Sequence, residues 1–274
     1  MPTAKELLDA GQLEAAIQAV SQDVKSRPSE MQPRTFLFEL LCFAGDFDRA
    51  ERQLDVIGHQ SAQAELGVQV YRNNVRAERD RLRLFSDGFT PHFLAEPPAY
   101  VDVLLSAINM LREEKYDAAR SLLDQAEEER PALTGLLNGQ QFLDFRDCDD
   151  LIGSVLELIV HDKYTWLPFE QIKRMEISAP KQLRDLMWAP GRVEGIDGTV
   201  GEVFIPSLYV RSSEHPNDQV KLGRMTDWTQ VNESLHLPSG LRLFMVDGND
   251  EVMFEARSVE FDLADVGARS AHPS

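Results

Sequence analysis

Asp147, Asp149, Asp150, Glu157 and His161 come closest to a set of side chains that could do chemistry. Carboxylates with an imidazole bind divalent metals and move protons. On a helix expected over residues 148–162, Asp150, Glu157 and His161 stand seven and four positions apart and share one face. Within this segment, however, neither the His-Glu-x-x-His nor the Glu-x-x-His spacing is present. Acids ahead of a helix are also favoured by capping and the helix dipole alone. A structural role is the better reading, and neither a metal nor a cofactor is expected. Gly195, Gly198 and Gly201 recur every third residue, but Glu202-Val203-Phe204-Ile205 after them reads as a strand, whereas a phosphate loop needs a helix there. They are expected to be turn residues. No Gly-x-Ser-x-Gly nucleophile elbow occurs. Nothing argues for an enzyme. A metal-dependent enzyme with its site between two domains, built on Asp149, Asp150, Glu157 and His161, stands as an alternative.

A second constellation is basic. Arg72, Arg76, Arg79 and Arg83 lie four, three and four residues apart, on one face of a helix expected over residues 62–85. Val68, Tyr71, Val75, Leu82 and Phe85 form the neighbouring apolar stripe. Such a row either docks an acidic partner or is a solvated face paired with nearby carboxylates, and the second is the commoner case.

The elements that position these residues repeat. Gly11 and Gly45 are 34 residues apart, as are Leu7 and Leu41, Leu13 and Phe47, and Ala16 and Ala50. Glu114, Tyr116, Ala119 and Leu123 follow Gly45, Phe47, Ala50 and Leu54 at 69 residues, a drifted third copy. This period is the signature of tetratricopeptide-like helical hairpins; two ordinary hairpins with a shared spacing are the alternative. Each glycine suits the positive φ at a helix end, and each small alanine lets two helices approach. Pro28 falls where the second helix should stop. Helices are expected over residues 3–10, 13–26, 33–44, 47–58, 62–85, 100–114, 117–130 and 148–162, with a loop from Ser86 to Pro98. After Tyr164 the pattern shortens, and strands are expected at Val200–Ile205, Leu208–Val210, Leu241–Val246 and Glu251–Phe261. The last two flank a hairpin turn at Asp247-Gly248-Asn249-Asp250. The expected fold class is multidomain α+β. A tetratricopeptide-like α-helical repeat domain (1–163) precedes a small β-rich domain (164–263), a partly open barrel or sheet, and a flexible tail (264–274).

Composition narrows the partners. The 274 residues carry a formal net charge of −18, shared by both halves: 16 Lys/Arg against 27 Asp/Glu up to residue 150, and 12 against 19 beyond it. Nucleic acid and anionic membrane surfaces would be repelled, so the partners should be proteins, although solubility alone also accounts for the charge. No apolar run approaches a membrane span, and no secretory signal heads the chain. Two cysteines, Cys42 and Cys148, make no disulfide framework and fit a reducing cytoplasm.

Several runs occur in a telling order: Phe142-Leu143-Asp144 with Asp149-Asp150, Tyr164-Thr165-Trp166-Leu167-Pro168, Pro180 with Leu183-Arg184-Asp185-Leu186-Met187-Trp188, Ile205-Pro206-Ser207-Leu208-Tyr209, and Leu222-Gly223-Arg224-Met225-Thr226-Asp227-Trp228. In these the chain resembles the ImpE family, also called SciE-type or TagJ, an accessory component of bacterial type VI secretion. The start of the chain resembles the family as well, so the likeness covers nearly all of it. The resemblance implies a cytoplasmic, non-enzymatic adaptor. It would bind the N-terminal helix of the small sheath subunit (TssB-like) and connect to the ClpV-type ATPase, without nucleic acid or membrane insertion. A helix laid in a repeat groove is one recurring recognition mode. Candidate partner contacts are Phe36, Phe43, Tyr71, Arg72, Arg76 and Arg79. The motif residues Trp166, Arg184, Asp185, Trp188, Tyr209, Arg224 and Trp228 are expected to be structural, the tryptophans as core and the charged residues as ties between domains. The remaining rival is a structural protein whose repeat surface binds only itself.

Overall fold

The computed structural model describes residues 2–262; the tail expected over 264–274 lies outside them. Helices α1 (Ala4–Asp9), α2 (Leu13–Ser26), α3 (Met31–Phe43), α4 (Phe47–Gly58), α5 (Ala62–Asp87), α6 (Ala99–Arg112) and α7 (Tyr116–Glu129) fill the first part of the chain. Their ends are written locally. Thr3 and Glu6 close a capping box on α1, while Asp46 and Ser61 accept the Arg49 and Ala64 amides at the starts of α4 and α5. Gly88 ends α5 in the left-handed region, at φ 79°.

Three turns share one geometry. Gly11, Gly45 and Glu114 adopt φ of 73°, 72° and 58°. In each, the next amide returns to a carbonyl five residues back: Gln12 to Leu7 (2.9 Å), Asp46 to Leu41 (3.0 Å) and Lys115 to Met110 (2.9 Å). Ala16, Ala50 and Ala119 are fully buried where the paired helices meet. The spacing in the sequence is thus the spacing of one helix–turn–helix shape.

The sheet region begins at β2 (Gly135–Leu137), since β1 (His92–Phe93) is an edge pair within the loop after α5. There follow β3 (Gln140–Phe142), β4 (Phe145–Asp147), β5 (Val155–Val160), β6 (Lys163–Pro168), β7 (Ile172–Ile177), β8 (Trp188–Gly195) and β9 (Val200–Pro206). A short helix α8 (Asp218–Lys221) leads to β10 (Thr226–Gln230), β11 (His236–Gly240), β12 (Leu243–Val246), β13 (Asn249–Val252) and β14 (Ser258–Phe261). A nine-stranded sheet runs β1-β6-β5-β9-β8-β7-β14-β2-β3, antiparallel except for β1 beside β6. Smaller sheets are β13-β12-β4 and β10-β11. The fold is α+β.

Several expectations need correction. The helix expected over 148–162 is a 3-10 turn, Asp150–Ile152, followed by strand β5. A short, mostly apolar run buried on both faces looks the same to a periodicity argument as a buried helical segment. Here the chain reverses at His161 (φ 56°), and β5 pairs with β6 as an antiparallel hairpin. The strands beginning at Gly135 also mean that residue 163, the expected junction, falls at the β5–β6 hairpin. Further on, Leu208–Val210 is reduced to a single bridge, Leu208 with Leu241, and Glu251–Phe261 divides into β13 and β14. The turn before β13 needs only Asp247 and Gly248, both at positive φ (51° and 79°).

Alternation along β5 feeds two cores. Val155 and Ile159 join Trp166, Trp188 and the helices, while Leu156 and Leu158 join Phe145, Phe169 and Phe244 beneath the sheet. Glu157 shares the face of Val155 and Ile159, and is therefore driven into the helix–sheet core.

Candidate functional site

A cleft of about 640 Å³ opens where α1, α2 and α3 meet the 3-10 turn Leu183–Leu186. Leu8, Val20, Phe36 and Leu183 supply its apolar wall, and Lys5, Asp9, Asp23, Arg27, Glu30, Glu39 and Arg184 its charged margin. Arg184 fixes the floor. It pairs with Glu39 on α3 (2.8 Å), donates to the Tyr71 hydroxyl, and lies over the Tyr71 ring at 4.7 Å from its centre. Burial raises the Glu39 carboxyl above the usual range even though Arg184 opposes it.

Of the candidate contacts, Phe36 lines this cleft and Tyr71 stacks behind its floor against Phe38 and Phe204. Phe43 is buried in the core and does not line this cleft. The arginines are elsewhere, tied to carboxylates of their own chain. Arg72 pairs with Asp55 (3.0 Å) and Glu65 (2.6 Å), Arg79 with Asp48 (2.7 Å) and Glu51 (2.9 Å), and Arg83 with Asp80 and Asp87 (both 3.1 Å). Arg76 has one partner, Asp162 at 3.1 Å, and is the most open of the row with 64% of its side chain exposed.

The acidic set with His161 does not converge. Glu157 sits on β5, fully buried between Arg81 (2.7 Å) and Arg242, and accepts the Tyr164 hydroxyl. Burial alone would raise its carboxyl, but the two guanidiniums outweigh this and hold its pKa at about 2. Asp147 has one guanidinium, Arg242 at 2.9 Å; there burial prevails and lifts the pKa to about 6. Asp150 is taken by Arg120 (2.6 Å) and Arg146, and His161 forms the turn after β5. Among the described residues no three His, Cys, Asp or Glu are arranged to hold a metal ion. What these groups build is a buried ionic bridge. Arg81 of α5 reaches Glu157, Glu78 (2.9 Å) and the Leu208 carbonyl (3.0 Å), and Arg242 adds the Pro206 carbonyl (3.0 Å).

The motif residues serve the same border. Trp188 donates its indole N–H to Glu78 on α5 (3.2 Å), and Trp166 donates to Tyr164 (2.6 Å). The Tyr209 hydroxyl joins Asp147 and Leu243. Asp185 accepts the Lys181 and Gln182 amides and so closes its own turn, while Asp227 faces His215. Arg224 donates to the Leu8 and Asp9 carbonyls at the end of α1 (2.7 and 3.1 Å), and Asp218 accepts the Leu13 amide at the start of α2 (2.8 Å). Both ends of the first helical turn are satisfied from α8 and its surroundings. Charged ties across the border were expected, and Arg184 and Arg224 make them to groups of the helices. Trp228 departs from expectation: it is 40% exposed on β10, a two-stranded ribbon too thin to enclose it.

Comparison with known proteins places the chain. Residues 139–260 match the family model of the ImpE protein. Over 262 residues the chain is 36% identical to the type VI secretion system accessory component TagJ of Pseudomonas aeruginosa PAO1, covering 96% of this chain and 92% of that one. The chain belongs to the ImpE family. A solved structure, protein VPA1032 from Vibrio parahaemolyticus, superposes with a TM-score of 0.88 at 27% identity, over 94% of this chain and 97% of that one. The family's matched segment begins after α7, so helices α1–α7 lie outside it, whereas the TagJ likeness spans nearly the whole chain. No described helix is long and apolar enough to cross a membrane.

Proposed function

We propose that this ImpE-family chain is a non-enzymatic, cytoplasmic accessory component of type VI secretion, an adaptor that binds the N-terminal helix of the small sheath subunit (TssB-like) and links it to the ClpV-type ATPase. The observation that carries the reading is the likeness to the accessory component TagJ along nearly the whole of both chains. The site assigned is the cleft of α1, α2 and α3, in keeping with a tetratricopeptide-like use of repeated hairpins. Its Phe36 and Leu8 offer apolar anchors, and its mixed charged margin sets the direction of the incoming helix. The test is fluorescence anisotropy of a labelled peptide of that sheath helix, titrated with the full chain and with Phe36→Asp. Saturable binding at micromolar concentration or tighter, weakened at least tenfold by the substitution, is expected. Binding that Phe36→Asp leaves unchanged would remove the cleft from the reading, and no binding would remove the sheath helix.

A further inference from the structure

Asp147, Asp150 and Glu157 each hold at least one arginine. Asp149 does not. It is 3% exposed and forms no ion pair with a lysine, arginine or histidine among the described residues. Its carboxylate caps the 3-10 turn by accepting the Leu151 amide at 3.0 Å. Burial lifts its pKa to about 8, with Asp147, Asp150 and Glu157 nearby and no paired guanidinium to oppose the rise.

Asp149 stands in the wall of a second cleft, of about 510 Å³, which shares no residue with the first. Phe85 from the end of α5, Leu111 and Tyr116 at the α6–α7 turn, and Leu237 and Pro238 of β11 make its walls apolar. The cations at its margin have acceptors other than Asp149. Arg211 pairs with Glu214 (2.9 Å), Arg112 donates to the Ser86 carbonyl and the Asn109 side chain, and His215 contacts Asp227. Glu114 adds a further negative charge.

We propose that this cleft is a docking site for a basic side chain, a lysine or arginine carried on a partner polypeptide, with its cationic head against Asp149 and its methylene stem along Phe85, Leu111 and Tyr116. Charge complementarity selects the occupant. Asp149 is largely protonated near neutral pH while the cleft is empty and ionises against an incoming cation, and the net charge of −18 draws cations and repels anions. The apolar walls suit the aliphatic stem that lysine and arginine carry, and a bare metal ion would have no use for them. The cleft is also roomier than one side chain requires, leaving space for the neighbours of that residue. Neither the sheath helix nor the first cleft is needed for this site to act.

The test uses the full chain and three probes, followed by NMR at the Leu151, Leu111 and Leu237 amides. One is the capped pentapeptide Ala-Leu-Lys-Leu-Ala, the second replaces its lysine with norleucine, and the third is n-butylamine. The lysine peptide is expected to bind at least tenfold more tightly than the other two. Asp149→Asn keeps an N-cap side chain and should abolish that preference while the chain stays folded. Tyr116→Ala, at a half-buried wall position, should weaken both peptides alike and keep the lysine preference. Equal affinity for the two peptides, no shift with either, or a lysine preference that survives Asp149→Asn would overturn the proposal. So would n-butylamine binding as tightly as the lysine peptide, which would make the occupant a free amine.

Discussion

Arg81→Met tests the buried bridge most directly. Arg81 is 2% exposed and donates two bonds to Glu157 (2.8 and 2.7 Å), one to Glu78 (2.9 Å) and one to the Leu208 carbonyl (3.0 Å). Methionine fills much of the same space, so the loss is chiefly electrostatic. It leaves Glu78, Glu157 and Asp147 buried with Arg242 as the remaining guanidinium. Removing one partner of a buried pair costs about 3–5 kcal/mol, because the other charge stays unpaired. For a chain of this size that lowers the melting temperature by roughly 10 °C. Urea unfolding at pH 7, followed by tryptophan emission, is the assay; Trp166 and Trp188 both sit at the bridge. The pH response adds a second reading. A carboxyl held at about 2 from an ordinary 4.5 contributes stability above pH 4.5, and that stability is lost as pH falls towards 2. In Arg81→Met the loss should begin at higher pH, because one of the two guanidiniums holding Glu157 ionised is gone. Adding Glu157→Gln should recover about 1–3 kcal/mol relative to the sum of the single effects. A loss below about 1 kcal/mol in Arg81→Met would refute the reasoning, since it would mean that water, not protein, compensates these charges.

Asp149 titrates in the opposite sense. Its pKa is about 8 in the fold against an ordinary 3.8, so its contribution is largest below pH 3.8 and is lost as pH rises through 8. Asp149→Asn should therefore be more stable than the parent at pH 8.5 by about 1 kcal/mol or more, with less advantage at pH 5; equal urea midpoints at pH 8.5 would exclude the shift. Gly11→Ala and Gly45→Ala should each cost about 1–2 kcal/mol, because an L side chain is strained at their positive φ. Glu114→Gly, at the matching turn of the third hairpin, should cost nothing or gain up to about 1 kcal/mol, and thermal melts of the three variants decide the point. Arg76→Glu should change stability by less than about 1 kcal/mol, since its single ion pair is exposed. A larger change in the urea midpoint would show that the pair does more than decorate the surface.

The helices were legible because their signals are local. Gly11 and Gly45 mark turns whose geometry depends on the few residues around them, and α2 and α4 begin and end where their apolar spacing does. Strand β5 was not legible, because Val155 to Val160 is buried on both faces, with Glu157 its one polar residue, and its pairing partners lie beyond the segment. Glu157 was visible as a candidate for chemistry, but its partner Arg81 lies 76 residues earlier and Arg242 85 residues later. One signal for Arg81 was available. Asn74, Glu78 and Arg81 lie on the same inward face of α5 as Ala77 and Leu84, and a charged residue on a buried face demands a partner. The arginines that drew attention, Arg72, Arg76, Arg79 and Arg83, lie on the outer face, where spacing alone cannot separate a docking surface from a set of local pairs.

The ties between helices and sheet decide how the two regions can act. Arg81 with Glu157, Arg184 with Glu39, Trp188 with Glu78, Arg224 with the end of α1 and Asp218 with the start of α2 all cross the same border, and one apolar core runs beneath them. A helical stack on its own would have to leave that face exposed. Here the sheet covers it, and the charged ties fix a register that apolar packing alone leaves loose. Both clefts lie along this border: the first takes Leu183 and Arg184 from the sheet side, and the second takes Leu237 and Pro238. A partner in either cleft therefore touches groups from both regions. Its affinity will depend on the bridge that holds them together, as well as on the residues it meets.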